Sequence, residues 1–480
     1  MGKKVKVKEK TMKNYLRKNW KPLSLVLILL LTLPWTLQLA SQAWRILTGA
    51  SYKPAAIVVD VSRGQGGLRE IWHGVGQGFE KPEGADLRLD QVAPILARAG
   101  VKYVRIDHIY DGYETVSRAD GRLVYNWTKL DAIVSDIIAA GATPYFSLSY
   151  MPSAISRGDI LDLPTEWGEW GQVVAATVAH YSRDYWGGLV NVIYEVWNEP
   201  DLFGGFKMYG DKNYTTMYTV AANSAAGVKG ARAFKIGGPA TTGFYPAWVD
   251  GFYKKLDSQV RIDFFSWHRY STDISLFVSD VNQARDMIAP QIARAQDLYI
   301  SEWGVDPERG ASYDSAWAAA HYLAVNRALL GTAVDMILPF EVMDGGFDDK
   351  QFHGGWGMVT NPRYGAIVKK PRFRALELLS KMTGERLATL GEGDYVTAVA
   401  ARGVDGIIRI LIVNYDVRGK HSEMFPMMIT GLSNFGSYEV TEEYLSGRRV
   451  VNTFVPDGGI VRREISLGAS DAVLLTVRAK

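Results

Sequence analysis

The chain has 480 residues, of which 47% are hydrophobic and 22% charged, and it contains 14 Trp and 25 Tyr. This length exceeds one ordinary core, so a large globular domain with a smaller companion is expected. The net charge of +3 hides an asymmetry, because residues 1–21 carry nine Lys or Arg against one Glu and the remainder is therefore acidic. An acidic remainder argues against a nucleic-acid partner for the folded part.

A charge-free segment, residues 22–44, follows the basic leader of residues 1–21. It is long enough to cross a bilayer, because about 20 apolar residues span the hydrocarbon core. The positive flank predicts a single-pass membrane protein whose leader is cytoplasmic and whose remainder lies outside. The alternative is secretion after signal cleavage, since Ser41-Gln42-Ala43 resembles a small-residue cleavage site; the long leader and span favour an uncleaved anchor.

Eight short apolar or β-branched segments follow between residues 70 and 385, alternating with longer amphipathic ones. The eight begin at Ile71, Tyr103, Thr143, Val192, Phe234, Asp263, Leu298 and Met336. Helical candidates such as residues 127–141 have apolar side chains at three- and four-residue spacing, and Gly closes two of them at the expected C-cap. The repetition predicts an α/β fold, a (β/α)8 TIM barrel. A doubly wound open sheet is the competing fold, but no Gly-rich nucleotide fingerprint supports it.

Residues 386–480 have a different pattern, with short alternating strands separated by Gly and Asp turns and no further helical segment. This predicts an accessory C-terminal β-sandwich packed on the barrel. Residues 45–69 are interpreted as a linker whose segment 55–62 adds a strand to that accessory sheet. The chain has no cysteine, so an exported domain of this size depends on its core alone.

Four of the eight predicted strands end in side chains capable of chemistry, and the reactive face of such barrels lies at these C-terminal ends. These side chains are Arg105 and His108 on the second strand, Asn198 and Glu199 on the fourth, His268 and Tyr270 on the sixth, and Glu302 on the seventh. Retaining glycosidases need two carboxyl groups about 5 to 5.5 Å apart, one as proton donor and one as nucleophile. The two Glu residues can form such a pair across the barrel mouth.

A single strand-end Glu is as often a structural ion-pair partner, but two of them, each beside a Trp, favour catalysis. Arg105 and a hydrogen bond from Tyr270 would keep one carboxylate ionised, while an aromatic neighbour such as Trp197 or Trp303 would help to keep the other protonated. The sequence has no spaced His pair, no GxSxG elbow and no phosphate-binding loop, so neither a metal nor another cofactor is expected.

Several motifs occur in an order that resembles glycoside hydrolase family 39, a retaining (β/α)8 family with its acid/base on strand four and its nucleophile on strand seven. "EVWNEPD" at 195–201 resembles the acid/base motif and "ISEWG" at 300–304 the nucleophile motif. Residues 125–155, 235–241, 352–360 and 369–387 resemble further repeats, loops and the closing helix of that family. The resemblance covers roughly residues 70–390.

The resemblance implies a role for each matching residue. Glu199 would be the acid/base, Glu302 the nucleophile, and Asn198 the ligand of the sugar 2-hydroxyl. Arg105 and Tyr270 would position the nucleophile, and His268 would line the substrate site. His108 is a candidate substrate ligand from its place at the end of the second strand, not from the resemblance. Three aromatic residues are candidates either for sugar stacking or for packing at the barrel rim: Trp303, Phe340 and Trp356.

Two segments depart from the family pattern, "RIDHIYDG" after the second strand and "PFEVMDGG" after the eighth, and both affect the expected sugar. The first hypothesis is a membrane-anchored retaining hydrolase that cuts an extracellular or cell-envelope polysaccharide internally. An exo-acting, β-xylosidase-like enzyme is the alternative. A non-catalytic carbohydrate-binding envelope protein is the alternative from another class, although loss of one carboxylate would be expected there.

Overall fold

The computed structural model describes residues 52–79, 87–291, 296–346 and 350–480. The predicted leader and membrane anchor, residues 1–44, lie outside these ranges. Within them, no helix is both long enough and apolar enough to cross a bilayer.

The first strand, β1 (Ile57–Gly67), precedes a barrel of eight parallel strands. The barrel strands are β2 (Gly74–Gln77), β3 (Tyr103–Ile106), β6 (Thr143–Leu148), β7 (Val192–Val196), β8 (Phe234–Thr241), β9 (Phe264–Tyr270), β10 (Asp297–Gly304) and β11 (Met336–Pro339). A hairpin of β4 (Val116–Ala119) and β5 (Arg122–Tyr125) follows β3. A bridge between Gly76 and Phe340 joins the last strand to the first, so the sheet closes. All eight predicted barrel strands are present, and the predicted TIM barrel is confirmed.

Helices follow the barrel strands and pack on their outer side. They are α1 (Ala93–Arg98), α2 (Thr128–Ala139), α3 (Trp167–Ala179), α4 (Tyr214–Ala226), α5 (Pro246–Lys255), α6 (Ile274–Ile288), α7 (Ala316–Leu329) and α8 (Pro371–Leu379). Gly100 and Gly141 follow α1 and α2 with φ of 69° and 72°, the left-handed conformation in which Gly commonly ends a helix.

Large apolar side chains fill the barrel interior below its C-terminal mouth. The cluster consists of Tyr145, Ile193, Phe264, Tyr299, Met336 and Leu338, all buried. Phe264 and Tyr299 stack with ring centroids 4.7 Å apart. Because this apolar cluster fills the barrel on the side away from the C-terminal mouth, the polar side chains that point inward are confined to the layer next to the mouth.

The remaining strands form one nine-stranded sheet beside the barrel. They are β12 (Glu385–Leu390), β13 (Val396–Arg402), β14 (Ile408–Asn414), β15 (Glu423–Thr430), β16 (Tyr438–Tyr444), β17 (Arg449–Phe454), β18 (Val461–Leu467) and β19 (Ala472–Ala479), together with β1. The hydrogen-bonded order is β17-β16-β19-β14-β13-β12-β1-β15-β18. Both halves of this order contribute to one apolar core, so the sheet folds over on itself. The outer face of β14, through Leu411 and Val413, joins the core of the barrel.

Candidate active site

Glu199 lies just past the end of β7, where the backbone turns sharply. Trp197 and Glu199 have φ of 74° and 47°, a region that costs a non-glycine residue energy and that is enriched at functional sites. The Glu199 amide donates to the carbonyl of Ala240, near the end of β8, at 3.0 Å. This bond fixes the turn, and the Glu199 side chain remains 13% exposed.

Glu302 lies on β10 beside His268 of β9, its direct partner in the sheet register. One oxygen from each of the two carboxyl groups and one ring nitrogen of His268 lie within 4.8 Å of one another. Nδ1 of His268 is 2.8 Å from Oε1 of Glu199 and 3.7 Å from Oε2 of Glu302. This spacing suits the retaining reaction and is too short for the 6.5 to 9.5 Å that an inverting enzyme needs.

Arg105 connects the two strands that carry the acids. Its Nη1 is 3.3 Å from Oε2 of Glu302, its Nη2 donates to Oδ1 of Asn198 at 2.7 Å, and its Nε donates to Oε2 of Glu195 at 2.8 Å. The guanidinium is only 2% exposed, so its orientation is fixed by these charged and polar partners. The amide of Asn198 donates onward to the Tyr150 hydroxyl at 2.9 Å.

The charges around the two acids differ. Burial and the negative charge of Glu199 raise the pKa of Glu302, while His268, Arg105 and a 2.6 Å hydrogen bond from the Tyr270 hydroxyl oppose that rise. Burial alone would lower the pKa of His268, but Glu302 and Glu199 outweigh it and the pKa is raised. The net effect is a raised pKa for Glu302, whose carboxyl group accepts hydrogen bonds from Arg105 and Tyr270 and lies close to a second carboxyl group.

The predicted aromatic residues occupy different places. Trp303 is 1% exposed and stacks on Tyr322 of α7, with centroids 5.4 Å apart and planes 13° apart. Its ring therefore packs between β10 and α7, which favours the packing alternative over sugar stacking for this residue. Phe340 and Trp356 meet edge to face at 5.6 Å near the end of β11, and Phe340 is 8% exposed, which favours rim packing for that residue.

His108 lies at the mouth, with its side chain 31% exposed. Its Nδ1 is 2.7 Å from Oδ2 of Asp111, and its ring meets Tyr150 edge to face at 4.7 Å. Tyr150 in turn contacts Asn198. His108 is thus linked to Asn198, the neighbour of Glu199, through the single residue Tyr150. Its role as a substrate ligand stays a prediction.

The sequence reasoning missed Glu195 and Tyr150. Glu195 is completely buried on β7, and besides Arg105 it accepts a 2.8 Å hydrogen bond from the Tyr145 hydroxyl. Burial alone would raise the pKa of Glu195, but Arg105 and His268 outweigh it and the pKa is lowered. An ionisable residue inside the apolar run "VIYEV" was the available signal, because a buried carboxylate requires a partner.

The family model for glycosyl hydrolases family 39 matches residues 55–409. The chain belongs to this family. The predicted family is therefore confirmed, and with it the predicted class of protein, a retaining glycoside hydrolase.

Two curated proteins resemble the chain. The β-xylosidase of Caldicellulosiruptor saccharolyticus is 28% identical over 295 residues, which are 56% of this chain and 59% of that protein. The β-xylosidase of Geobacillus stearothermophilus is 25% identical over 368 residues, 68% of this chain and 70% of that protein. The chain thus spans less than two thirds of the first relative.

Two solved structures show how far the architecture extends. A monomeric β-xylosidase from Caulobacter crescentus CB15 superposes with a TM-score of 0.74 at 23% identity, over 88% of this chain and 99% of that one. A family 39 enzyme from Xanthomonas axonopodis pv. citri gives 0.73 at 22% identity, over 89% and 98%. At these identities the similarity shows the fold alone.

Proposed function

We propose that the protein hydrolyses β-xyloside bonds by double displacement, with Glu302 as nucleophile and Glu199 as acid/base. The observation that carries the proposal is the approach of the two carboxyl oxygens and His268 to within 4.8 Å of one another. Glu302 attacks the anomeric carbon while Glu199 protonates the leaving oxygen. Glu199 then removes a proton from the water that releases the sugar, which keeps its configuration.

The donor pattern supports this division of roles. A nucleophile must be ionised before it attacks, and Glu302 faces Tyr270, Arg105 and His268. Glu199 lies at the slightly more exposed side of the pair, and its Oε1 is hydrogen-bonded to Nδ1 of His268. Arg105 also orients Asn198, so that its amide is held for the sugar 2-hydroxyl as positive charge develops at the anomeric carbon.

The names of the two curated relatives support an exo-acting β-xylosidase over the endo-acting hydrolase that location alone had favoured. Cleavage inside an extracellular or cell-envelope polysaccharide is the second candidate, and it depends on the predicted anchor at residues 22–44. Product masses separate the two, because an exo enzyme releases single sugars and an endo enzyme releases oligosaccharides first.

The test of the proposed roles compares Glu302→Gln and Glu199→Gln with the unmodified chain. On xylobiose, Glu302→Gln should reduce kcat on the order of 10⁴-fold or more. Glu199→Gln should reduce kcat about 10²- to 10⁴-fold on xylobiose. On a xyloside with an acidic phenol as leaving group, the reduction in kcat should be much smaller, because that group departs with little protonation. Equal losses for both variants on both substrates would contradict the division of roles.

The stereochemistry and the location are measured separately. Proton NMR should detect β-xylose as the first product of a β-xyloside; α-xylose as first product would overturn double displacement. We also propose that residues 22–44 anchor the enzyme with its N-terminus in the cytoplasm. Membrane fractionation with intact-mass analysis checks this, and a soluble chain that begins near Trp44 would favour secretion after cleavage.

A further inference from the structure

The loops that follow β7 and β8 expose apolar side chains, and the loop after β7 is the one that contains Glu199. Leu202, Phe203 and Tyr245 are 61%, 37% and 42% exposed, in contrast to Trp303 and Phe340, which are buried. Large exposed apolar side chains grouped at the opening of a polar site indicate a ligand-binding surface.

Phe203 is held directly next to the acid. Its amide donates to the carbonyl of Glu199 at 2.7 Å, and its own carbonyl accepts a 2.8 Å hydrogen bond from the Trp197 indole. Its ring meets Tyr150 edge to face at 5.7 Å, and Tyr150 contacts Asn198. The Phe203 ring therefore has a fixed position within the mouth although more than a third of the residue is exposed.

Tyr245 is tied to the same loop from the neighbouring strand. Asp201 accepts the Thr242 amide at 3.0 Å and also accepts the Thr242 hydroxyl. Because that hydroxyl has only one hydrogen, the Tyr245 hydroxyl must be the donor in its 2.9 Å bond to Thr242. The two loops are thus braced by polar groups, and the face of Tyr245 remains exposed.

The roles of the two acids indicate which part of a substrate lies against Phe203 and Tyr245. The nucleophile Glu302 holds the sugar that is transferred, whereas the acid Glu199 must reach the oxygen that leaves. Side chains that flank Glu199 in the loops after β7 and β8 therefore face the leaving group. A sugar ring presents an apolar C–H face, which packs against rigid aromatic rings of this kind.

We propose that Phe203 and Tyr245 form a binding platform for the sugar on the leaving-group side of the cleaved bond. The proposal rests on the proposed function, because it takes Glu199 as the acid. It names the substrate class more closely: the preferred substrates are oligosaccharides in which a second sugar ring follows the scissile bond.

The test uses two substrates that differ only on the leaving-group side. Xylobiose places a sugar on the platform, whereas β-xylosyl fluoride places only a fluoride ion there. We measure the ratio of kcat/KM for xylobiose to kcat/KM for the fluoride in Phe203→Ala, Tyr245→Ala and Tyr245→Phe. The matched control is Phe435→Ala, which removes a 90% exposed aromatic ring between β15 and β16.

Each alanine variant at the platform should lower this ratio about three- to tenfold, the range expected for one aromatic stacking contact. Phe435→Ala should keep the wild-type ratio, because it lies on the accessory sheet. Tyr245→Phe retains the ring but loses the hydroxyl bond to Thr242, so it should lower the ratio less than Tyr245→Ala does. An unchanged ratio in both alanine variants overturns the platform, whether kcat/KM stays at the wild-type value or falls equally on both substrates through general damage.

Failure of the proposed function gives a different result from failure of the platform. If the unmodified chain cleaves neither xylose substrate, the β-xyloside proposal fails. The ratio is then measured with the disaccharide and the fluoride of the sugar that a glycoside panel identifies, where the same two outcomes support or overturn the platform.

Discussion

The Arg105 guanidinium links three polar side chains of the site. It binds Glu195, Asn198 and Glu302 at once, and the Arg105 and Glu195 side chains are 2% and 0% exposed. A buried charge pair of this type does not by itself stabilise a fold, but removing one partner leaves the other uncompensated. In the proposed mechanism, Glu195 therefore holds Arg105 against Glu302 and the Asn198 amide.

Glu195→Gln should reduce kcat about 10- to 100-fold with little change in KM, because a charge-assisted hydrogen bond to the positioning guanidinium is lost. Kinetics on the fluoride substrate check this. Tyr145→Phe, which removes the other hydrogen bond to Glu195, should give a smaller loss. Asp405→Asn, at an exposed Arg409 pair on the accessory sheet, is the control and should leave kcat unchanged. A Glu195 variant with normal kcat would contradict the positioning role.

The acidic side of the pH–rate profile depends on the two acids together. Besides burial, the charge of Glu199 raises the pKa of Glu302, and in the proposed mechanism Glu302 must be deprotonated to attack. Removing the Glu199 charge should therefore lower the pKa of Glu302. In Glu199→Gln, we expect the acidic limb of kcat/KM on the fluoride substrate to move to lower pH. A limb that stays in place or moves to higher pH would show that the two groups are not coupled in this way.

The main site residues could be predicted because strand ends in a barrel converge whatever the details of the sequence. The contact of Glu195 with Arg105 and the burial of Trp303 could not be predicted. Both depend on which way a side chain points from its strand, and consecutive residues of a strand point to opposite faces. The irregularity between Ile300 and Glu302 in the pairing of β10 with β9 changes that alternation close to Trp303.

At the scale of elements, the barrel could be predicted from the sequence because parallel strands are buried on both faces and appear as continuous apolar runs. All five residues of β7 are buried, as are all four of β11. The β4–β5 hairpin was not predicted, since its strands are short and largely exposed. Such a hairpin lacks the apolar pattern that identifies a strand.

The contact between β8 and β9 requires glycine at position 237. A Cβ atom there would lie 2.3 Å from the carbonyl oxygen of Phe264 and 2.7 Å from its ring. Gly237→Ala should lower the free energy of unfolding by about 1 to 3 kcal/mol, the usual cost of overpacking. Thermal and denaturant unfolding measure it.

Gly168 in α3 is the matched control for this substitution, because a Cβ there would have no heavy atom within 4 Å. Gly168→Ala should raise the free energy of unfolding by about 0.5 to 1 kcal/mol through the better helix propensity of Ala. If both alanine variants changed stability in the same direction, crowding at β8 would not be the cause of the first effect.

At the scale of the whole molecule, the accessory sheet uses both ends of the described chain. β1 lies between β12 and β15, pairing antiparallel with the first and parallel with the second. Without β1, the pair β15–β18 would have no hydrogen-bonded link to the other six strands of the sheet. An isolated two-stranded unit is marginally stable at best.

A chain of residues 68–480 should therefore be insoluble or much less stable than one of residues 52–480. The truncation removes Ile57, Val59 and Val61, each at most 3% exposed, and opens two strand edges to aggregation. Solubility after expression and the melting temperature of the soluble fraction are the measurements. A soluble 68–480 chain with an unchanged melting temperature would show that β1 is dispensable.

The position of β1 also has a consequence during synthesis. Val58 pairs with Leu390 and with Met428, so its partners are made more than 300 residues later. At about 5 to 20 residues per second, the ribosome needs roughly 20 to 70 s to reach them. For that time an apolar strand at the start of the fold has no native neighbour, and a chaperone that shields it should increase the yield of folded enzyme.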